Sequence, residues 1–200
     1  MADGFVNTIV ELGDETVLDL LITRTITEYK DDIIATVGQN AFNYCYQLTT
    51  VELPNVTSVG IGAFNNCTAL SSIIIPKLKQ VAVQSFTNTR IRSIVIPNAT
   101  VINQNGFNDC IELATVDLCN VTNIYLNAFK NTALSALIIR RDDTVCTLRS
   151  VTAFDGTPIY DGTGYIYVPA VLVDKYKTAS NWTNFSTQIR AIEDYPDICG

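Results

Sequence analysis

Phenylalanine recurs along this chain at Phe42, Phe64, Phe86, Phe107 and Phe129, at intervals of 22, 22, 21 and 22 residues, and again at Phe154 after 25. A fixed period of this length leaves few folds open. It describes one supersecondary unit stacked on copies of itself, each burying an apolar edge that it cannot bury alone. The residue before each phenylalanine is small: Ala41, Ala63, Ser85, Gly106, Ala128 and Ala153. Three residues after it stands another small one: Cys45, Cys67, Thr89, Cys110, Thr132 or Thr157.

The rest of the unit keeps register. Phe42 leads to Leu48, Val51, Leu53, Pro54, Val56 and Val59. Phe64 leads to Leu70, Ile73, Ile75, Pro76, Leu78 and Val81. Phe86 leads to Ile91, one residue early, then Ile94, Ile96, Pro97, Ala99 and Ile102. Phe107 leads to Leu113, Val116, Leu118, Cys119, Val121 and Ile124, and Phe129 to Leu134, Leu137 and Ile139, with Arg140 in the proline position. The Phe154 unit is interrupted by Asp161-Gly-Thr-Gly164 before Ile166, Val168 and Pro169. Alternation such as Val51-Glu52-Leu53 is strand periodicity. Proline ends the strand because it has no N–H for the next rung. The polar pairs after each phenylalanine, such as Asn43-Tyr44 and Asn65-Asn66, predict short helical turns on the outside.

This AF-xx-C-xx-L-xx-V-x-L-P unit resembles the BspA-like leucine-rich-repeat family, found in bacterial surface proteins and in phage and prophage genes. The resemblance covers residues 37–169. It implies an α/β repeat fold, a leucine-rich-repeat solenoid of parallel short strands with short helical or irregular return segments between N- and C-terminal caps. It also implies a non-enzymatic interaction or adhesion module.

A solenoid needs caps because its terminal rungs expose core. Residues 1–36 do not fit the repeat and are read as an N-terminal cap or docking segment, with a helix over Glu15–Ile22 and strands near Thr25–Tyr29 and Ile33–Val37. Residues 37–169 form the solenoid of about six units, and residues 170–200 a helical C-terminal cap. Pro169 suits a first helical turn. Val171, Leu172, Val173 and Tyr176 then make an apolar stripe, Trp182 and Phe185 close the last rung, and Ile189–Ile192 adds apolar surface. This ending resembles the one common among phage-encoded members of the family.

The net charge is −7, from 13 basic and 20 acidic residues, with no basic stripe. Nucleic acid and anionic membranes are therefore poor partners. Apolar runs such as Ile73–Ile75 fall far short of the ~20 residues of a spanning helix, so no membrane insertion is expected. The N-terminus carries Asp3, Glu11, Asp14 and Glu15 and no basic residue before Arg24, so it does not read as a secretory signal. A phage virion component, made in the cytoplasm and released by lysis, fits that pattern. A bacterial cell-surface protein exported by another route, or an intracellular scaffold, is the alternative.

No catalytic, metal or cofactor site emerges. There is no histidine, no Cys-x-x-Cys pair and no phosphate-binding glycine motif. Two carboxylates could serve a glycan hydrolase, yet Asp142-Asp143 and Asp155/Asp161 sit in loop-like sequence with nothing to bring a pair together. Cys45, Cys67 and Cys110 share a position that also takes threonine, which marks a small buried site, although a Cys45–Cys67 bridge between neighbouring rungs is geometrically conceivable. The sequons at Asn55, Asn66, Asn98, Asn120, Asn181 and Asn184 mostly recur with the repeat and are read as structural.

The candidate binding surface is the outward strand face. One column reads Thr50, Ser72, Ser93, Thr115, Ala136, a smooth floor of small residues. The other reads Glu52, Ile74, Val95, Asp117, Ile138, with exposed apolar residues expected at Ile74, Val95 and Ile138. Exposed apolar patches mark contacts, but β-branched residues also simply favour strands. The expected partners are a protein or a cell-surface glycan, and a homo-oligomer is compatible with the same face.

Overall fold

The computed structural model describes residues 24–199, so the helix expected over Glu15–Ile22 lies outside the described residues. The chain winds as a solenoid with two columns of parallel strands. The first holds β1 (Glu28–Lys30), β3 (Thr50–Glu52), β5 (Ser72–Ile74), β7 (Ser93–Val95), β9 (Thr115–Leu118), β11 (Ala136–Ile139), β13 (Tyr165–Val168) and β14 (Ile189–Ala191). The second holds β2 (Thr36–Val37), β4 (Ser58–Val59), β6 (Gln80–Val81), β8 (Val101–Ile102), β10 (Asn123–Ile124) and β12 (Thr147–Leu148). The repeat pattern predicts only the first column. Two-residue strands are too short to show a period of two, so Val59 and Val81 read merely as interior positions.

The phenylalanines form one continuous stack. Successive centroids from Phe42 to Phe154 lie 5.0, 5.6, 5.3, 5.6 and 5.9 Å apart, with interplanar angles of 4° to 12°. All six rings are buried, and each such burial is worth roughly 1.5–3 kcal/mol. Tyr29 covers the stack at one end, 5.0 Å from Phe42. Trp182 and Phe185 cover the other, 6.1 and 5.1 Å from Phe154.

The small residues before the phenylalanines are explained by backbone contact between rungs. The N–H groups of Phe42, Phe64, Phe86, Phe107 and Phe129 donate to the carbonyls of Ala63, Ser85, Gly106, Ala128 and Ala153 at 2.7 to 3.0 Å. At Gly106 a Cβ would lie 2.7 Å from Val81 Cγ1, so that rung tolerates no side chain without movement.

The expected helical turns after the phenylalanines are irregular turns instead; only the sixth rung has a helical segment, the 3₁₀ turn Val151–Phe154 capped by Ser150. The reason is a pair of left-handed corners flanking each of the first five phenylalanines, with a single one after Phe154. Two residues before stand Asn40, Gly62, Gln84, Asn105 and Asn127; two after stand Tyr44, Asn66, Asn88, Asp109, Asn131 and Gly156, all with φ from 54° to 68°. A right-handed helix cannot pass through such residues, and Asn, Asp and Gly tolerate them best.

The Cys/Thr column donates to carbonyls. Cys67 Sγ reaches Phe42 O at 3.0 Å, Cys110 Sγ reaches Phe86 O at 2.9 Å, and Thr132 and Thr157 reach Phe129 O and Phe154 O at 2.8 and 2.7 Å. The two thiols reach the phenylalanine carbonyl of the preceding rung and the two hydroxyls that of their own, so both residue types find an acceptor in this small buried column. Cys45 and Cys67 are free thiols, as are Cys110, Cys119 and Cys146. The sequon asparagines are occupied by the fold: the amides of Asn55, Asn98 and Asn120 donate to Asp32 O, Pro76 O and Pro97 O at 2.5, 2.9 and 2.8 Å. Asn181 and Asn184 donate to Leu148 O and Asn181 O, and Asn66 accepts from Asn88.

At the C-terminal end, Val173–Thr178 is helical and buries Tyr176, whose hydroxyl accepts from the Cys146 N–H at 2.9 Å. Trp182 Nε1 donates to Cys146 O at 2.6 Å. Within the expected stripe Leu172 and Tyr176 are buried, whereas Val171 faces solvent. Ile189–Ala191, read from sequence only as apolar surface, is β14 and adds a parallel strand beside β13.

Candidate interaction face

Ladder register settles which side chains share the outward face. Lys30, Glu52 and Ile74 stand side by side on β1, β3 and β5. Val95, Asp117, Ile138, Tyr167 and Arg190 continue the row on β7, β9, β11, β13 and β14. The parallel row runs Glu28, Thr50, Ser72, then Ser93, Thr115, Ala136, Tyr165. Within each of the two ladders the residues named from sequence therefore occupy corresponding positions, four on β3 and β5 and six on β7, β9 and β11.

They do not share one environment. Ser72, Ser93, Ile74 (49% exposed) and Val95 (62% exposed) are open to solvent. Thr50, Glu52, Thr115, Asp117 and Ala136 are half-buried. Ile138 is 2% exposed, which corrects the expectation of an exposed apolar residue there. It packs with Tyr167, and Ala136, Tyr165, Ile192 and Tyr195 close over the pair as a small second core outside the sheet. The chain's own C-terminal segment covers that end of the face. Nothing in the β11 sequence signals this, because Tyr165, Tyr167, Ile192 and Tyr195 lie 27 to 57 positions later.

The acidic residues of the row are also satisfied from within. Lys30 Nζ meets Glu52 Oε1 at 2.8 Å, and this bond holds the lysine pKa above its usual value. Arg140 grips Asp117 with Nε at 2.8 and 3.1 Å and Nη2 at 2.7 Å, the two-toothed geometry that guanidinium and carboxylate favour. Arg140 stands where the first three units carry Pro54, Pro76 and Pro97.

Between these two ion pairs the sheet is interrupted. The β1–β3–β5 strands form one sheet and β7–β9–β11–β13–β14 another, with no ladder between β5 and β7 among the described residues. On the far side of the solenoid β6 and β8 remain paired, and Phe64 stays stacked on Phe86. The rungs therefore part only on the outward face. The opening is a groove of about 440 Å³ with Ile73, Ile74, Ile94 and Val95 along it, Ser71 and Arg92 at one end and Pro76 and Pro97 at the other. The bonding pattern shows which edges face it. Ser72 N–H donates back to Thr49 O and Ile74 O accepts from Leu53 N–H, so β5 turns residues 72 and 74 toward β3 and residue 73 toward the groove. On β7, Arg92 O and Ile96 N–H bond toward β9, so residues 93 and 95 face the groove.

At the polar end Arg90 and Arg92 share one carboxylate, Glu112, at 3.2 and 3.0 Å. Their hydrogen bonds, that of Arg92 foremost, hold Glu112 below the usual carboxylate range. Two guanidiniums against one carboxylate leave a local positive charge in a chain of net charge −7. Of the loop acids considered for hydrolysis, Asp143 is held by Arg141 at 2.5 and 2.9 Å. Among the described residues no cluster of three or more metal-ligating side chains occurs, and no helix is long and apolar enough to cross a membrane.

Stacked parallel rungs, an interior phenylalanine ladder and an outward strand face define a leucine-rich-repeat solenoid. The chain belongs to the BspA-type leucine-rich-repeat family, whose model matches six copies over residues 35–157. Its fold is similar to that of a leucine-rich cell surface protein from Faecalibacterium prausnitzii A2-165, with 24% identity, a TM-score of 0.51, and coverage of 72% of this chain and 48% of that one. The chain thus spans about half the length of that neighbour. A leucine-rich repeat protein from Bacteroides ovatus ATCC 8483 aligns with 13% identity over 68% of this chain and 59% of its own, at a TM-score of 0.30. No curated protein matches the chain.

Proposed function

We propose that the chain is a non-enzymatic protein-interaction module that works on a bacterial surface and binds its partner through the outward strand face, at the β5–β7 groove. The observation that carries this reading is the contrast along one row of side chains. Glu52 and Asp117 are neutralised internally and Ile138 is covered by the chain's own C-terminus, while Ile74 and Val95 are left bare at an opening in the sheet. A bare apolar pair beside unpaired strand edges is a contact surface in want of a partner. The BspA-type repeats and the cell-surface description of the Faecalibacterium neighbour support the location.

A photo-crosslinking residue placed at Ile74 or Val95 in the producing cell should capture the same partner from both positions. Placed at Gln80, exposed on the second strand column, it should capture none. Equal capture from position 80, or none from 74 and 95, would contradict the reading. A place on a phage particle is the second reading, favoured by the ending from Pro169 through Trp182 to Pro196, which resembles that of phage-encoded members. Co-sedimentation with assembled particles supports it, and recovery with the cell envelope alone removes it.

A further inference from the structure

Taking the strand face as an interaction surface, we infer that the β5–β7 groove binds an extended peptide segment of a partner protein, one carrying apolar side chains at alternate positions and a carboxylate at the Arg92 end. Three features of the groove specify this occupant, and the inference rests on the interaction reading above.

The first is the backbone. Residue 73 on β5 and residues 93 and 95 on β7 turn their main-chain groups toward the groove, where no strand pairs with them among the described residues. An extended chain lying along the groove meets such groups with its own N–H and C=O, and main-chain bonds of this kind supply affinity without regard to sequence. The second is the spacing of apolar surface. Ile74 and Val95 flank the groove and Ile73 is only half-buried at its floor. A strand presents alternate side chains to one face, so apolar residues two apart cover this surface while the residues between face water. The third is charge. Arg92 lies at one end of the groove and shares Glu112 with Arg90, so one positive charge stays uncompensated there. The prolines at the other end bring neither charge nor N–H. The volume of about 440 Å³ lies within the roughly 300–1,000 Å³ of ordinary ligand sites. A glycan would use the polar end and leave the apolar walls bare, so a peptide is the better fit.

The test uses the isotope-labelled full chain and three probe peptides of seven residues, with valine and threonine alternating. The first has blocked termini and aspartate at both ends, so either orientation brings a carboxylate to Arg92. The second has asparagine in place of aspartate. The third has no acidic side chain but a free terminal carboxylate. The first probe should shift the amide signals of residues 73–75 and 93–95 and bind at least tenfold more tightly than the second. Arg92→Gln should erase that difference, and Val95→Asp or Ile74→Asp should remove the shifts while signals elsewhere stay in place. Whichever of the first and third probes binds more tightly identifies the carboxylate as side-chain or chain-terminal. Equal binding of the aspartate and asparagine probes, or shifts at other sites, overturns the proposal. So does a concentration-dependent dimer that Val95→Asp abolishes, since a second copy would then be the occupant. Absence of any shift at millimolar probe overturns the peptide occupant but leaves the crosslinking result at positions 74 and 95 untouched, so the two readings fail separately.

Discussion

Tyr195 meets Tyr167 edge-on, with ring centroids 5.3 Å apart at an interplanar angle of 66°. Through this contact a segment near the C-terminus folds back over the outward face and buries Ile138. Tyr195→Ala should cost about 1–2 kcal/mol, combining the aromatic pair with partial loss of burial. Chemical denaturation reads the loss, and binding of a hydrophobic dye should rise as Ile138 is uncovered. Unchanged stability and dye binding would show that the cover contributes nothing.

The phenylalanine stack runs unbroken past the open seam. Phe86 lies between Phe64 at 5.6 Å and Phe107 at 5.3 Å and is fully buried. Phe86→Ala should therefore destabilise by about 3–5 kcal/mol, enough to uncouple the two halves of the solenoid. A single cooperative unfolding transition in the wild type should split into two in the variant. A variant that still unfolds in one step with a loss below about 1 kcal/mol would contradict a stack that holds the rungs together.

Much of this was legible in the sequence because the repeat states one side chain's environment six times. The phenylalanine column, the interchange of Cys45, Cys67 and Cys110 with threonine, and the outward register of Thr50 through Ile138 all follow from period alone. What was not legible comes from outside the period. The burial of Ile138 involves Tyr167, Ile192 and Tyr195, and no local pattern announces contacts across those separations. The left-handed corners were visible as a column of Asn, Asp and Gly, but Tyr44 and Gln84 interrupt it, and polar residues after a phenylalanine fit a helical turn equally well. The seam has no sequence mark. The unit supplying β7 is one residue short between Phe86 and Ile94, yet the unit supplying β11 is equally short between Phe129 and Leu137 and its strand pairs normally.

Tyr44 is the one aromatic residue at a left-handed corner, with φ of 63°, where the other five rungs have Asn66, Asn88, Asp109, Asn131 and Gly156. A bulky side chain there costs on the order of 1 kcal/mol. Its ring, beside Tyr46 and under Arg24, is exposed and recovers little. Tyr44→Asn should raise stability by about 0.5–1 kcal/mol, seen as a higher midpoint in thermal unfolding. A lower midpoint would mean that the contacts with Tyr46 and Arg24 outweigh the backbone strain.

Burial pushes the thiols of Cys45 and Cys110 up to about 11 and that of Cys146 to about 12 from a usual value of 9.0. A raised folded-state pKa means that the neutral thiol is favoured in the fold, so its contribution is fully present below pH 9 and is lost as pH rises from there through 11 to 12. Stability should fall across that window. Cys110→Thr, which places a hydroxyl in a column where Thr132 and Thr157 already donate to carbonyls, should make the fall shallower. An unaltered alkaline slope would show that Cys110 does not drive it.

The opening between β5 and β7 is the feature on which the functional account depends, and amide hydrogen exchange measures it residue by residue. The amides of Ile73, Ser93 and Val95 face the groove, whereas the β9–β11 ladder joins Val116 to Leu137. In the free protein the groove amides should exchange at least a hundredfold faster than the amides of β9 and β11, and the aspartate-ended peptide should slow them selectively. Protection of Ile73 and Val95 equal to that of the β9–β11 ladder before any partner is added would mean that the seam is closed, and would contradict the account.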